Sequence, residues 1–87
     1  MKLMFIVVRD VDGDSVIQAL VDEGFRVTRV ASKGGFMRRG NVTLMLGVEQ
    51  DRVQGVIDLL HKTCTPAQDD HHRATLFVVD MPYFEQI

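Results

Sequence analysis

The hydrophobic positions fall into six separated blocks, and each block has the period of one kind of element. Leu3 to Val8 is an unbroken apolar run ended by Arg9 and Asp10, which predicts a central strand buried on both faces. Asp12 or Asp14 can cap a helix over about 13–23, where Val16, Ile17, Ala19, Leu20 and Val21 form an apolar stripe. Gly24 stands where a left-handed C-terminal residue belongs. Phe25 to Ser32 reads as a second strand, with Phe25 and Val27 on one face and Arg26 and Thr28 on the other. Asn41 to Val48 alternates more cleanly: Val42, Leu44, Leu46 and Val48 share one face, and Asn41, Thr43, Met45 and Gly47 the other.

A second helix starts at Gln50 or Asp51 and keeps Val53, Val56, Ile57 and Leu60 at core-facing spacing, with His61 and Lys62 at its negative end and Pro66 beyond its stop. A polar stretch from Thr65 to His72 precedes a fourth strand, Ala74 to Val79, and a tail from Met81 to Ile87 begins with a turn at Pro82. Val16-Ile17 with Leu20 recurs as Val56-Ile57 with Leu60, so the βαββαβ order is a doubled βαβ unit. Right-handed crossovers then predict an α+β fold of ferredoxin-like type, a four-stranded antiparallel sheet with both helices on one face. Two helices leave the second sheet face uncovered although strands one and four are apolar on both sides, which predicts a homo-oligomer closing over it.

Composition narrows the function classes. The chain has 87 residues, enough for one domain, and 46% hydrophobic with 25% charged residues is globular composition. A formal charge of -2 supplies no basic surface for a nucleic acid polymer. No apolar run approaches the roughly 20 residues a membrane helix needs. One cysteine, Cys64, and no charged stretch with an apolar core ahead of a cleavage site lead to the expectation of a cytoplasmic protein with no membrane partner.

The stretch richest in candidate chemistry runs from Lys33 to Asn41, with three glycines, three positive charges and one aromatic. Paired glycines let backbone N–H groups approach an anion, Phe36 can stack on a purine, Arg26 can pair a phosphate, and Thr28 and Asn41 can hydrogen-bond a base or phosphate. The plainer reading is a basic hairpin loop with Phe36 folded back on the sheet. Walker-type and GxGxxG phosphate loops are absent. Cys64, Asp69, Asp70, His71 and His72 contain metal-ligand types without a second spaced pair, so no metal site is expected. Asp10, Asp12 and Asp14 fit helix capping better than catalysis, and no serine or cysteine has an identifiable base, so no catalytic residue and no enzyme are expected.

Phe25-Arg26-x-Thr28, the run Ala31-Ser32-Lys33-Gly34-Gly35-Phe36-Met37-Arg38-Arg39-Gly40-Asn41-Val42-Thr43, then Gly47-Val48, Asp51-Arg52-Val53, Ala74-Thr75-Leu76-Phe77-Val78 and Phe84-Glu85-Gln86 together resemble the PII-like cyclic di-AMP receptors over nearly the whole chain. The resemblance implies a PII-like homotrimer of non-catalytic signalling type, with cyclic di-AMP as ligand rather than cofactor in three intersubunit clefts. Positions matching Arg26, Thr28, Gly35, Phe36, Met37, Asn41, Gly47 and Gln86 would line each cleft, with Phe77 as an addition, and a downstream protein would be the partner. The departure is the short connection from Thr65 to Arg73, where the receptors carry a long excursion; Met37 also replaces the usual leucine. Alternatives kept open are a sensor of a different nucleotide (ATP, cyclic AMP or another cyclic dinucleotide), a trimeric protein-interaction module, and a metal-dependent catalyst using the Asp10 to Asp14 cluster or His71-His72.

Overall fold

In the computed structural model, which describes residues 1–30, 40–66, 73–83 and 85–87, the elements are β1 (Lys2–Arg9), α1 (Asp10–Asp22), β2 (Thr28–Val30), β3 (Asn41–Val48), α2 (Val53–Thr63) and β4 (Ala74–Asp80), with a single 3₁₀ turn, Gln50–Arg52, leading into α2. The sheet order is β2-β3-β1-β4 with antiparallel neighbours throughout, so each βαβ crossover skips one strand. This is the ferredoxin-like α+β arrangement that the doubled pattern predicts.

Strand alternation decides what is buried. Met4, Ile6 and Val8 of β1 and Leu44, Leu46 and Val48 of β3 point to the helices and are almost completely buried, together with Val16 and Leu20 of α1 and Val56 and Leu60 of α2. Burial on this scale stabilises by about 1.5–3 kcal/mol per large aliphatic side chain. The two helices also pack against each other, which closes the layer over one sheet face. On the opposite face Leu3, Phe5 and Val7 remain half-buried and Phe77 and Val79 of β4 are exposed. β1 is central, as its apolar run predicts, but the described residues of one chain fully cover only one of its faces.

Three details differ from the sequence pattern. α1 starts at Asp10, and its N-cap residue, Arg9, makes no side-chain capping bond. Neither Asp12 nor Asp14 caps it: Asp12 is recruited by a residue distant in sequence, and Asp14 pairs with Arg29 at 3.0 Å. Among the described residues the β2 ladder begins at Thr28, and Phe25 and Val27 pack on the core without joining it; Ala31 and Ser32, the expected end of this strand, lie outside the described residues. α1 ends as expected: Gly24 has φ +89°, and the Phe25 amide reaches back to the Leu20 carbonyl at 3.0 Å.

Candidate functional site

The same alternation that sends Phe25 and Val27 inward turns Arg26 and Thr28 outward onto the open sheet face, where both are exposed. Thr28 is the ladder partner of Met45, and continuing that register brings Arg26 abreast of Gly47. The C-terminal tail supplies the third side. The Met81 amide donates to the Met1 carbonyl at 3.1 Å, extending the β1–β4 edge and directing the tail across the end of the sheet. Arg26, Thr28, Gly47 and Gln86 thereby line one cleft of about 480 Å³, with Leu3, Met45 and Met81 among its apolar walls.

Gly47 matters to the shape of this cleft by what it lacks. A Cβ there would stand 3.2 Å from the Met81 Cε and 3.4 Å from the Met1 Sδ, so the bare backbone is what allows the two thioethers to close over β3. The result is a soft apolar floor suited to the face of an aromatic ring. Arg26 contributes a planar fork of donors for phosphate or carbonyl oxygens, Thr28 a hydroxyl and Gln86 a primary amide that donates and accepts. Glu85, which accepts a hydrogen bond from the Tyr83 hydroxyl at 3.1 Å, adds a carboxylate that can accept a hydrogen bond from an amino group or a sugar hydroxyl.

The other sequence candidates stand elsewhere. Asn41 is half-buried at the opposite end of β3, opposite Arg9, and six residues of strand put it about 20 Å from Gly47. Gly35, Phe36 and Met37 lie outside the described residues. Phe77 is 57% exposed on the open face, level with Phe5 and Met45 across the ladder. Met1, Met81 and Glu85 were missed by sequence reasoning. Met1 and Met81 share the cleft because of β1–β4 pairing, and the only local signal was the length match that sets Lys2 opposite Asp80.

The rival chemistries find less support in the geometry. Asp10, Asp12 and Asp14 do not converge: Asp12 is buried among hydrogen-bond donors, while Asp10 and Asp14 are exposed and Asp14 faces Arg29. Burial, reinforced by the Asp12 charge, pushes the Cys64 thiol up and keeps it in the poorly nucleophilic protonated form. Asp69, Asp70, His71 and His72 lie outside the described residues; among the described residues no three His, Cys, Asp or Glu side chains are grouped as metal ligands. No described helix is long and apolar enough to cross a membrane. Two further clefts, about 260 Å³ between α2 and β4 around Cys64 and about 390 Å³ beside Phe25 and Arg52, contain none of the expected ligand-binding residues.

Comparison with known proteins places the chain in a family. A crystal structure described as a functionally unknown protein from Pediococcus pentosaceus ATCC 25745 superposes with a TM-score of 0.78 at 27% identity, covering 99% of this chain and 96% of that one. The family profile of the cyclic-di-AMP receptors matches residues 1–76, which includes Arg26, Thr28, Asn41 and Gly47 as well as the run from Ala31 to Gly40. The chain belongs to the cyclic-di-AMP receptor family, the PII-like receptors that its sequence resembles.

Proposed function

We propose that this protein is a non-catalytic PII-like signalling protein that binds a nucleotide second messenger, cyclic di-AMP, at the intersubunit clefts of a homotrimer. The observation that carries the reading is the convergence of Arg26, Thr28, Gly47 and Gln86, residues from β2 and its approach, β3 and the C-terminal tail, on a single cleft of the open sheet face. In this reading Arg26 holds a phosphate, Thr28 and Gln86 orient the ligand, the methionine floor takes a base face, and Phe36 stacks on a purine from the loop with Gly35 and Met37.

Two observations support completion of the site by a second chain. Asn41 and Gly47 are about 20 Å apart along one strand, too far for one small ligand to use both within one chain, so a site that uses both draws them from neighbouring copies. Leu3, Phe5, Val7, Met45, Phe77 and Val79 also form a contiguous apolar face that association would remove from water. Ligand binding would act on a downstream protein by shifting the population of loop conformations, which requires a differential affinity of a few kcal/mol.

The short Thr65 to Arg73 connection favours one variant of this reading, a sensor of a different nucleotide. A thermal-shift screen against cyclic di-AMP, cyclic di-GMP, cyclic AMP, ATP and ADP separates the two, because a ligand that binds the folded state raises its melting temperature. A selective shift with cyclic di-AMP supports the main reading, a shift with another nucleotide supports the variant, and no shift with any of them contradicts both.

A further inference from the structure

Arg9 holds two distant parts of the chain at once. Its backbone is the ladder partner of Asn41, and the next amide, that of Asp10, donates to the Gly40 carbonyl at 2.8 Å. Its side chain reaches instead to the exit of α2: Nη2 donates to the Thr65 hydroxyl at 2.8 Å and to the Thr65 carbonyl, and Nη1 to the Pro66 carbonyl at 3.4 Å. Asp12 completes the knot. Its Oδ2 accepts from Arg9 at 3.0 Å and from the Thr65 hydroxyl at 3.3 Å, and its Oδ1 accepts from the Thr65 amide at 3.1 Å.

This arrangement is specific in ways that a surface ion pair is not. The Asp12 side chain is 1% exposed, so it has lost its water, and Arg9 and Thr65 supply the donors that replace it. The Thr65 hydroxyl accepts from Arg9 while donating to Asp12, which uses both of its capacities and fixes its rotamer. Loss of Arg9 would leave the buried Asp12 carboxylate with the two Thr65 donors and no charged partner among its hydrogen bonds. Among the described residues the strand neighbour of Asn41 is Arg9.

We propose that Arg9 and Asp12 are positioning residues for Asn41, and that through them the exit of α2 at Thr65 is mechanically joined to the Gly40–Asn41 end of the ligand site. The ligand half of this inference rests on the proposed cyclic di-AMP function; the structural half does not. Displacement of Thr65 pulls on Arg9, and Arg9 is the residue whose backbone sets where β3 begins.

The test compares the full-length protein with Thr65→Val and Thr65→Ser by amide hydrogen exchange and by calorimetry with cyclic di-AMP. Thr65→Val removes the hydroxyl from the knot without touching β3, and Thr65→Ser keeps it. The expected result is Asp10 amide exchange faster by about tenfold in Thr65→Val, with the Lys2 to Met4 amides of the same strand changed by less than about twofold. Affinity for cyclic di-AMP falls by about fivefold, and Thr65→Ser restores both quantities. Unchanged exchange at Asp10, or equal acceleration along all of β1, overturns the coupling; a local change at Asp10 with unaltered affinity overturns the positioning role. A wild-type protein that binds no cyclic di-AMP overturns the functional reading and the ligand half of the inference, and the exchange comparison still decides the coupling.

Discussion

Gly47 lies flush beneath Met81, whose Cε would be 3.2 Å from a Cβ at that position. The neighbour is the end of a flexible side chain rather than backbone, so a methyl group there is accommodated by a small movement of the thioether. Gly47→Ala is therefore expected to change folding stability by no more than about 1 kcal/mol while displacing the floor of the cleft. Gly47→Val should abolish nucleotide binding with the fold intact. Thermal melts paired with calorimetry check both; loss of folding in Gly47→Ala, or full affinity in Gly47→Val, would show that the cleft floor has another role.

The open sheet face makes a separate prediction. Phe77 is exposed at the β4 end of a row with Phe5 and Met45, so Phe77→Asp puts a charge where association would bury an aromatic ring. Analytical ultracentrifugation should give the mass of three chains for the wild type and one chain for Phe77→Asp, with little change in helix content by circular dichroism. A wild type that sediments as one chain at micromolar concentration contradicts the proposed assembly.

Acid stability should depend on Asp12. Burial raises the pKa of this carboxyl, but hydrogen bonds from the Thr65 amide and hydroxyl and from Arg9, with the Arg9 charge, outweigh it and hold the group below its ordinary value. A carboxyl whose folded pKa is depressed contributes stability above its unfolded value of about 3.9, and loses it as pH falls through the folded value. Asp12→Asn should flatten the fall of melting temperature below about pH 4, and Asp12→Ala should cost about 3 kcal/mol at neutral pH by leaving Arg9 without its buried partner. Identical acid limbs in wild type and Asp12→Asn would contradict this account.

A smaller effect belongs to Arg52, whose guanidinium carbon is 4.1 Å from the Phe25 ring centroid and whose Nη2 donates to the Glu23 carbonyl at 3.2 Å. This contact ties the start of α2 to the approach of β2, on the helix side of the residue pair Arg26 and Thr28. Arg52→Ala should cost about 0.5–1 kcal/mol and Arg52→Lys less, read from urea midpoints, since the site is exposed.

Sequence periodicity specified most of the fold because most of it is local alternation. The β3 pattern sets Asn41 to Val48 as a strand and divides its faces as found, and the Arg26/Thr28 alternation survives even though the ladder starts only at Thr28. The point where β2 joins the ladder was not legible, since it depends on where the β3 neighbour comes within reach. Asp12 was misread as a helix cap for a related reason: its partner Thr65 is 53 residues away, and only the folded chain brings them together. In the candidate site, the outward direction of Arg26 and Thr28 followed from strand alternation, and the resemblance added Gly47 and Gln86. Met1, Met81 and Glu85 depend on where the tail crosses the sheet, which no local pattern encodes.

The central claim is most directly tested by calorimetric titration of the wild-type protein and Arg26→Ala with cyclic di-AMP. The account predicts saturable binding at one ligand per chain in the wild type, with affinity weakened by about tenfold or more when the Arg26 fork is removed. Absence of binding heat at every temperature tried, together with no melting-temperature shift at millimolar ligand, would contradict it.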